Sequence, residues 1–276
     1  MSDRFLLAQV TDMHVKAGGK LSYRVVDTDA SLARCVEHLL HLPQVPDAVL
    51  FTGDLVDFGR PDEYDNLARL VAPLTMPVYL MPGNHDDPET MRARFPGHAY
   101  LRQRTGKLDY VIDAHPVRIV ALDTTVPKKP FGALDDAQLR WLDETLADTP
   151  GKPTIVAVHH PPFWTGIGHM DDQSLADPAA LEAVVSRHPQ VERVVCGHLH
   201  RNIVKRFGGT IASTCPSPSH QVALDLADDA ASRFVMEPPG FCLHLWRDGH
   251  GLVSHTASLG SFPGPYPFYE GGKLID

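Results

Sequence analysis

Seven residues of the types that bind divalent cations stand at the ends of short apolar runs. Asp12 and His14 follow residues 5–10, Asp54 follows 48–51, Asn84 follows 77–81, His159 follows 154–158, and His198 and His200 follow 191–196. Carboxylate and amide oxygens mixed with imidazole nitrogens suit borderline cations such as Mn, Fe, Co or Zn. No cysteine joins the set, which argues against a structural zinc site. In Asp12-Met13-His14 and His198-Leu199-His200 an extended backbone would turn both polar residues the same way, toward one centre. Seven ligands are too many for one ion but fit two ions about 3.5–4 Å apart that share a carboxylate. Asp54 is the natural bridge, because each of its oxygens can face one ion. Taken singly, Asp12 reads equally as a cap and Asn84 as a turn residue after Gly83. His160 is an alternative to His159. His38, His41, His188, His244 and His255 read as ordinary surface histidines of helices or strands.

Bringing such residues together requires strands that end at one place. Residues 5–10 read as a buried strand. Over 29–42, Leu32, Val36, Leu39 and Leu40 recur at helical spacing until Pro43 and Pro46 stop the helix. A second strand ends at Gly53-Asp54, a helix over 62–71 puts Leu67, Leu70 and Val71 on one face, and a third strand spans 77–81. This alternation is the signature of a parallel α/β layer, which places its chemistry at the carboxyl ends of the strands. Residues 108–113 and 117–122 read as a hairpin around His115-Pro116. Asp135 opens a helix with Gln138 placed for a capping box and Leu139, Leu142 and Leu146 on the buried face. A strand over 154–158, a helix over 178–187 and a strand over 191–196 follow, and then the chain reads as all-β at 203–207, 209–213, 241–246 and 252–257. The pattern gives two halves, each with a sheet, packed as a sandwich with helices outside. No repeat, low-complexity tract or linker divides the chain, so a single domain is expected over 1–276, with a β-rich part at about 201–260 and a Pro/aromatic tail over 261–276. The tail cannot be a regular helix or a central strand. It is expected to lie as an extended arm on its own domain or on a partner subunit.

The chain has 276 residues, 43% of them apolar, which is ample for a large core. A net charge of -9 with scattered acidic residues disfavours DNA and RNA polymers, whose binding needs basic neutralisation of phosphates. It allows a small anion held by a local cation. Cys35, Cys196, Cys215 and Cys242 form no CxxC pair and read as reduced thiols of a cytoplasmic protein. The N-terminal apolar run is too short for a signal peptide, and no run approaches transmembrane length, so no membrane association is expected.

The order Asp-x-His, Gly-Asp, Gly-Asn-His-Asp, His-His-Pro-Pro and Gly-His-x-His over residues 12–200 resembles the calcineurin-like metallophosphoesterase superfamily. Within it, Gly59-Arg60-Pro61-Asp62-Glu63-Tyr64 and the loop over 164–173 are similar to the bacterial class III cyclic nucleotide phosphodiesterases and their glycerophosphodiesterase relatives. The resemblance implies a four-layer α/β/β/α sandwich of two mixed sheets with outer helices. It implies one metal held by Asp12, His14, Asp54 and His200, and a second held by Asp54, Asn84, His159 and His198. Phe58 stands where the serine/threonine phosphatases carry arginine, and Asp57 where purple acid phosphatases carry a metal-binding tyrosine, so both subfamilies are disfavoured.

Two divalent ions (Mn, Fe, Zn or Co) would present hydroxide at neutral pH for in-line attack on phosphorus. Asp54 and His85 are the expected catalytic residues. Asn84 and His85 are the expected substrate contacts, with His85 at the leaving group or a phosphate oxygen. Asp57 or Asp86 would fix the His85 tautomer from behind. The expected activity is hydrolysis of small phosphodiesters, either cyclic nucleotides or glycerophosphodiesters. The alternatives are a phosphomonoesterase or nuclease with the same metals, or a scaffold that kept the fold without catalysis. Trp164, His169 and Met170 form an apolar-aromatic patch that could stack on a base or cap the cleft. The tail and the β-rich part could support a homodimer or higher homo-oligomer.

Overall fold

In the computed structural model, which describes residues 3–275, the chain starts with β1 (Arg4–Val10), α1 (Thr28–Leu40), β2 (Ala48–Thr52), α2 (Pro61–Val71), β3 (Val78–Met81) and α3 (Pro88–Arg94). The middle holds β4 (Tyr110–Ile112), β5 (Arg118–Ala121), α4 (Asp136–Asp148), β6 (Thr154–Ala157), α5 (Gly168–Asp171), α6 (Pro178–Val185) and β7 (Val191–Cys196). The last part holds β8 (Val204–Phe207), β9 (Thr210–Thr214), β10 (Gln221–Val222), β11 (Phe234–Val235), β12 (Gly240–Arg247), β13 (Gly251–Ser258), β14 (Tyr269–Glu270) and β15 (Lys273–Leu274).

Two mixed sheets result. The first has the order β13-β12-β1-β2-β3, with β1, β2 and β3 parallel and β12 antiparallel to β1. The second has the order β4-β5-β6-β7-β9-β8, parallel from β5 through β9 with an antiparallel strand at each edge. Period-two alternation decides the layers. Ile119, Ala121, Ile155, Ala157 and Val195 join the core that holds the first sheet and its helices. Val120, Val156, Val158, Val194 and Cys196, their sequence neighbours, face the other way and pack with Leu142, Leu146, Leu181 and Val184 of α4 and α6. The layers are therefore helix, sheet, sheet, helix, as the sequence pattern implies.

Local chemistry sets the helix starts. Asp27, Asp87, Asp135 and Asp177 each accept the N–H three residues on, and Pro61, Pro88 and Pro178 begin their helices. At Asp135 the capping box is complete. Gln138 then does more than the box requires. It is buried beside the half-buried Leu139, and its amide donates to Asp109 Oδ1 at 2.8 Å and to the Asp123 carbonyl at 2.9 Å.

Two histidines depart from the surface reading. His244 is buried between Gln9 Oε1 at 3.0 Å and Ser254 Oγ at 2.7 Å, and His188 is buried beside Asp143 Oδ1 at 2.6 Å. Each ring is tolerated inside because its nitrogens find partners. The Gln9 amide in turn donates to Thr52 Oγ1 at 3.0 Å and to the Cys196 carbonyl at 2.9 Å, tying β1 and β2 of one sheet to β7 of the other. Every described residue from Gly260 onward is exposed, Gly260 and Ser261 border a cleft with Arg34, Glu37 and His38 of α1, and β14 and β15 pair as a two-stranded ribbon.

Replacing Asp135 by alanine removes the cap and should cost about 1 kcal/mol, with Tm lower by roughly 2–4 °C. Thermal unfolding followed by circular dichroism checks this.

Candidate metal centre

Each candidate ligand follows a strand whose carboxyl end points to the same place: β1 for Asp12 and His14, β2 for Asp54, β3 for Asn84, β6 for His159, and β7 for His198 and His200. The backbone is not extended there. Asp12, His14, Asp54, His198 and His200 have φ of 54°, 47°, 49°, 69° and 52°. This left-handed conformation costs a residue with a side chain about 1–2 kcal/mol. The paired residues still reach one centre, while Met13 and Leu199 between them are buried in the apolar interior.

The side chains converge. Asp54 lies between two imidazoles, with Oδ2 at 3.7 Å from His14 Nε2 and Oδ1 at 3.4 Å from His159 Nε2. His200 Nε2 is 3.5 Å from Asp12 Oδ1 and 3.2 Å from His14 Nε2. His159 Nε2 is 3.2 Å from Asn84 Oδ1. Backbone carbonyls fix the ring orientation from behind: Nδ1 of His159 donates to Thr52 and Nδ1 of His200 to His220, at 2.8 and 2.9 Å. Each leaves its Nε2 lone pair facing inward. His160 stands apart, because Thr124 Oγ1 at 2.7 Å and the Pro130 carbonyl at 3.2 Å occupy both its nitrogens.

Electrostatics sort the imidazoles. Burial opposes the charge on Asp54, but His159, His85 and His14 outweigh it and hold its carboxyl well below the usual range. Burial likewise opposes charge on His159, yet Asp54 beside it pushes it up to about 9. Burial and then the charge of His159 press His198 down to about 3, and burial and then His14 press His200 to about 3. Neutral imidazole is the form that binds metal. His198 Nε2 and His14 Nδ1 are buried without a hydrogen-bond partner. Buried carboxylates, inward lone pairs and orphaned nitrogens fit divalent cations, and the groups Asp12/His14/His200 and Asp12/Asp54/His159 each offer ligand atoms within 4.8 Å of one another.

The residues behind the centre divide. His85 Nδ1 donates to the Asp57 carbonyl at 2.9 Å, and the Asp57 carboxylate pairs with Lys16. Burial resists charge on Asp57, but His14 and Lys16 bring it down to about 2. Asp86, in contrast, does not reach the His85 ring. Its oxygens accept from the Gly83, Leu55 and Tyr64 donors at 2.9, 3.0 and 3.0 Å, so it clamps the Asp54 and Asn84 loops together.

The centre opens into a cleft of about 410 Å³ whose walls include Tyr23, His85, Met170, His220, Arg233 and Phe234. His169 and Met170 border it, whereas Trp164 is 75% exposed and lies outside its lining. His220 was not anticipated. Its ring centroid is 4.6 Å from that of His200. Its sequence signal is faint, a histidine in a Pro/Ser-rich loop rather than at a strand end.

Sandwich and site together define a metal-dependent hydrolase with a dinuclear type of centre. The profile of the calcineurin-like phosphoesterase family matches residues 5–202, and the chain belongs to that family, whose members use a dinuclear metal centre. A protein of Arcobacter nitrofigilis named "Probable glycerophosphodiester phosphodiesterase GpdQ" is 41% identical over 273 residues, covering 98% of this chain and 100% of that one. The "Probable cyclic nucleotide phosphodiesterase RPA0124" of Rhodopseudomonas palustris is 34% identical over 261 residues, covering 93% of each. A solved dimetal phosphatase from Danio rerio shares the fold, with a TM-score of 0.63 at 14% identity over 93% of this chain and 99% of that one.

A Cβ at Gly83 would collide with Asp54 Oδ1 and lie 2.8 Å from His159 Cε1, whereas one at Gly97 meets nothing within 4 Å. That Cβ also collides with the Asp54 backbone nitrogen, so Gly83→Ala should displace the Asp54 loop, weaken metal binding roughly 10–100-fold and lower Tm. Gly97→Ala should match the parent protein. Metal titration beside circular dichroism decides.

Proposed function

We propose that the chain is a dinuclear metal-dependent phosphodiesterase for small diesters, cyclic nucleotides or glycerophosphodiesters. One cation is assigned to Asp12, His14, Asp54 and His200, and the second to Asp54, Asn84, His159 and His198. The observation that carries the reading is Asp54, buried with one oxygen toward His14 and the other toward His159. The donor set suits Mn, Fe, Zn or Co. Such cations, when bound, supply Lewis acidity that lowers the pKa of water and neutralises a phosphate.

The chain's own residues do the rest. The Asp57 carbonyl accepts a hydrogen bond from His85 Nδ1–H and fixes the ring, which leaves Nε2 to hold or pass a proton at an ester oxygen. Asn84 and His220 border the same cleft and are assigned to contact the substrate. Arg233 is the cleft's one lysine or arginine among the described residues, which suits a singly charged diester better than a doubly charged monoester or a polymer. The relatives named for these two activities match nearly the whole chain, which supports the diesterase reading. Four free, buried cysteines accord with the cytoplasm, and no described helix is long and apolar enough to cross a membrane. A homo-oligomer contact is assigned to the exposed tail, with Phe262, Tyr266 and Phe268 as its apolar residues.

Asp54→Ala should lose both metals and all turnover, whereas His85→Ala should keep the metals and lose about 10²–10⁴-fold in kcat. Metal analysis with steady-state kinetics on an aryl diester measures both. Two equivalents of metal retained by Asp54→Ala would remove the bridge. A panel of cyclic nucleotide, glycerophosphodiester and monoester with Mn, Fe and Zn added separately should show diesters favoured. Preference for the monoester would overturn the assignment.

A further inference from the structure

Eight residues other than glycine have positive φ among those described, and five are assigned metal ligands. Two of the other three are neighbours, Tyr23 at 48° and Arg24 at 67°. They form the middle of a tight turn in which the Val25 N–H donates to the Ser22 carbonyl at 3.2 Å, while Ser22 and Val26 exchange both backbone hydrogen bonds at 2.9 Å. Two consecutive positive φ values mark the primed turns that favour Asn-Gly. Bulky side chains there are strained, and such strain concentrates at binding sites.

The strained turn puts Tyr23 over the cleft. Its ring packs on Phe234 with centroids 5.0 Å apart and planes at 32°, and meets the His220 ring at 5.4 Å and 71°. Phe234 also meets His220, at 5.4 Å, and His220 meets the His200 ring edge-on at 4.6 Å. A row of rings thus runs from the assigned metal centre to the cleft wall. Tyr23 and Phe234 keep 52% and 36% of their surfaces exposed, so flat apolar faces remain open to a ligand. Val222, opposite Phe234 in the β10–β11 pair, and Met170 continue the apolar side.

Resting on the phosphodiesterase reading, we infer that Tyr23 and Phe234 determine specificity, forming a wall on which the flat ring of one ester group, a nucleobase or aryl ring, stacks while the phosphate sits at the metal centre. Aromatic faces hold planar rings by stacking, largely without regard to their hydrogen-bonding edge. A quaternary ammonium head group could also use such faces. Here Arg233, which has no ion pair among the described residues, would repel it, and the cleft's one carboxylate, Asp54, is committed to the centre. The hydroxyl groups of an aliphatic ester would lose water against these faces without gaining partners.

The test compares kcat/KM for 3′,5′-cyclic AMP and glycerophosphoethanolamine in the metal-loaded parent protein and in Tyr23→Ala, Phe234→Ala and Tyr23→Phe. Both alanine variants should lower the cyclic AMP to glycerophosphoethanolamine ratio roughly tenfold, through KM, and Tyr23→Phe should keep the parent ratio, because stacking needs the ring and not the hydroxyl. A ratio unchanged by either alanine variant overturns the wall. Binding of AMP against glycerol 3-phosphate, read by calorimetry on the same proteins, separates the two readings. Hydrolysis of neither diester removes the phosphodiesterase reading, while the AMP preference still decides the wall, supporting it if the alanine variants lose that preference and overturning it if they keep it.

Discussion

Asp12 and Asp54 are held out of water in a volume they share with imidazoles. Burying a carboxylate is costly unless it is paired. The surroundings respond unevenly. His159 is drawn toward the charged form by Asp54, while His198 and His200 are pressed toward neutrality by burial and by positive neighbours. His198 Nε2 is left with no partner. A pair of divalent cations is the group that completes this set of charges, and much of the surrounding structure follows from having to hold it in place.

The backbone bears part of that demand. Five of the converging residues sit in the left-handed region, which few side chains enter without support. Support comes from packing on both sides and from a polar link beneath the centre. Gln9 joins Thr52 and the Cys196 carbonyl, and His244 braces Gln9 from β12. The strand ends that carry Asp12, Asp54 and His198 are thereby fixed relative to one another by hydrogen bonds made two or three residues before each of them.

Much of this was legible in the sequence, because apolar periodicity and strand-end motifs are local properties. Residues 154–158 and 191–196 read as strands from their valine-rich runs, and the histidines after them read as ligands from residue type and place at the strand ends. What stayed hidden depends on distant partners. His244 looks like a surface strand residue until Gln9, far away in the chain, is seen to need it. Gln138 was visible as a cap residue, but its buried bonds to Asp109 and Asp123 were not. His220 and Tyr23 sit in loops with no periodicity, and their places follow from how those loops fold over the cleft. The extended backbone assumed for the D-x-H and H-x-H pairs was a default that the crowded strand ends override.

Gln9 ties the two sheets together, and the assigned ligand sets do the same on a larger scale. Asp12, His14 and Asp54 follow strands of the first sheet, while His200 follows a strand of the second, and the other set is divided in the same way. Cations bound there would rivet the halves of the sandwich, so their binding energy would add to the stability of the whole fold. Cellular metal supply would then govern how long each molecule survives proteolysis as well as how fast it turns over.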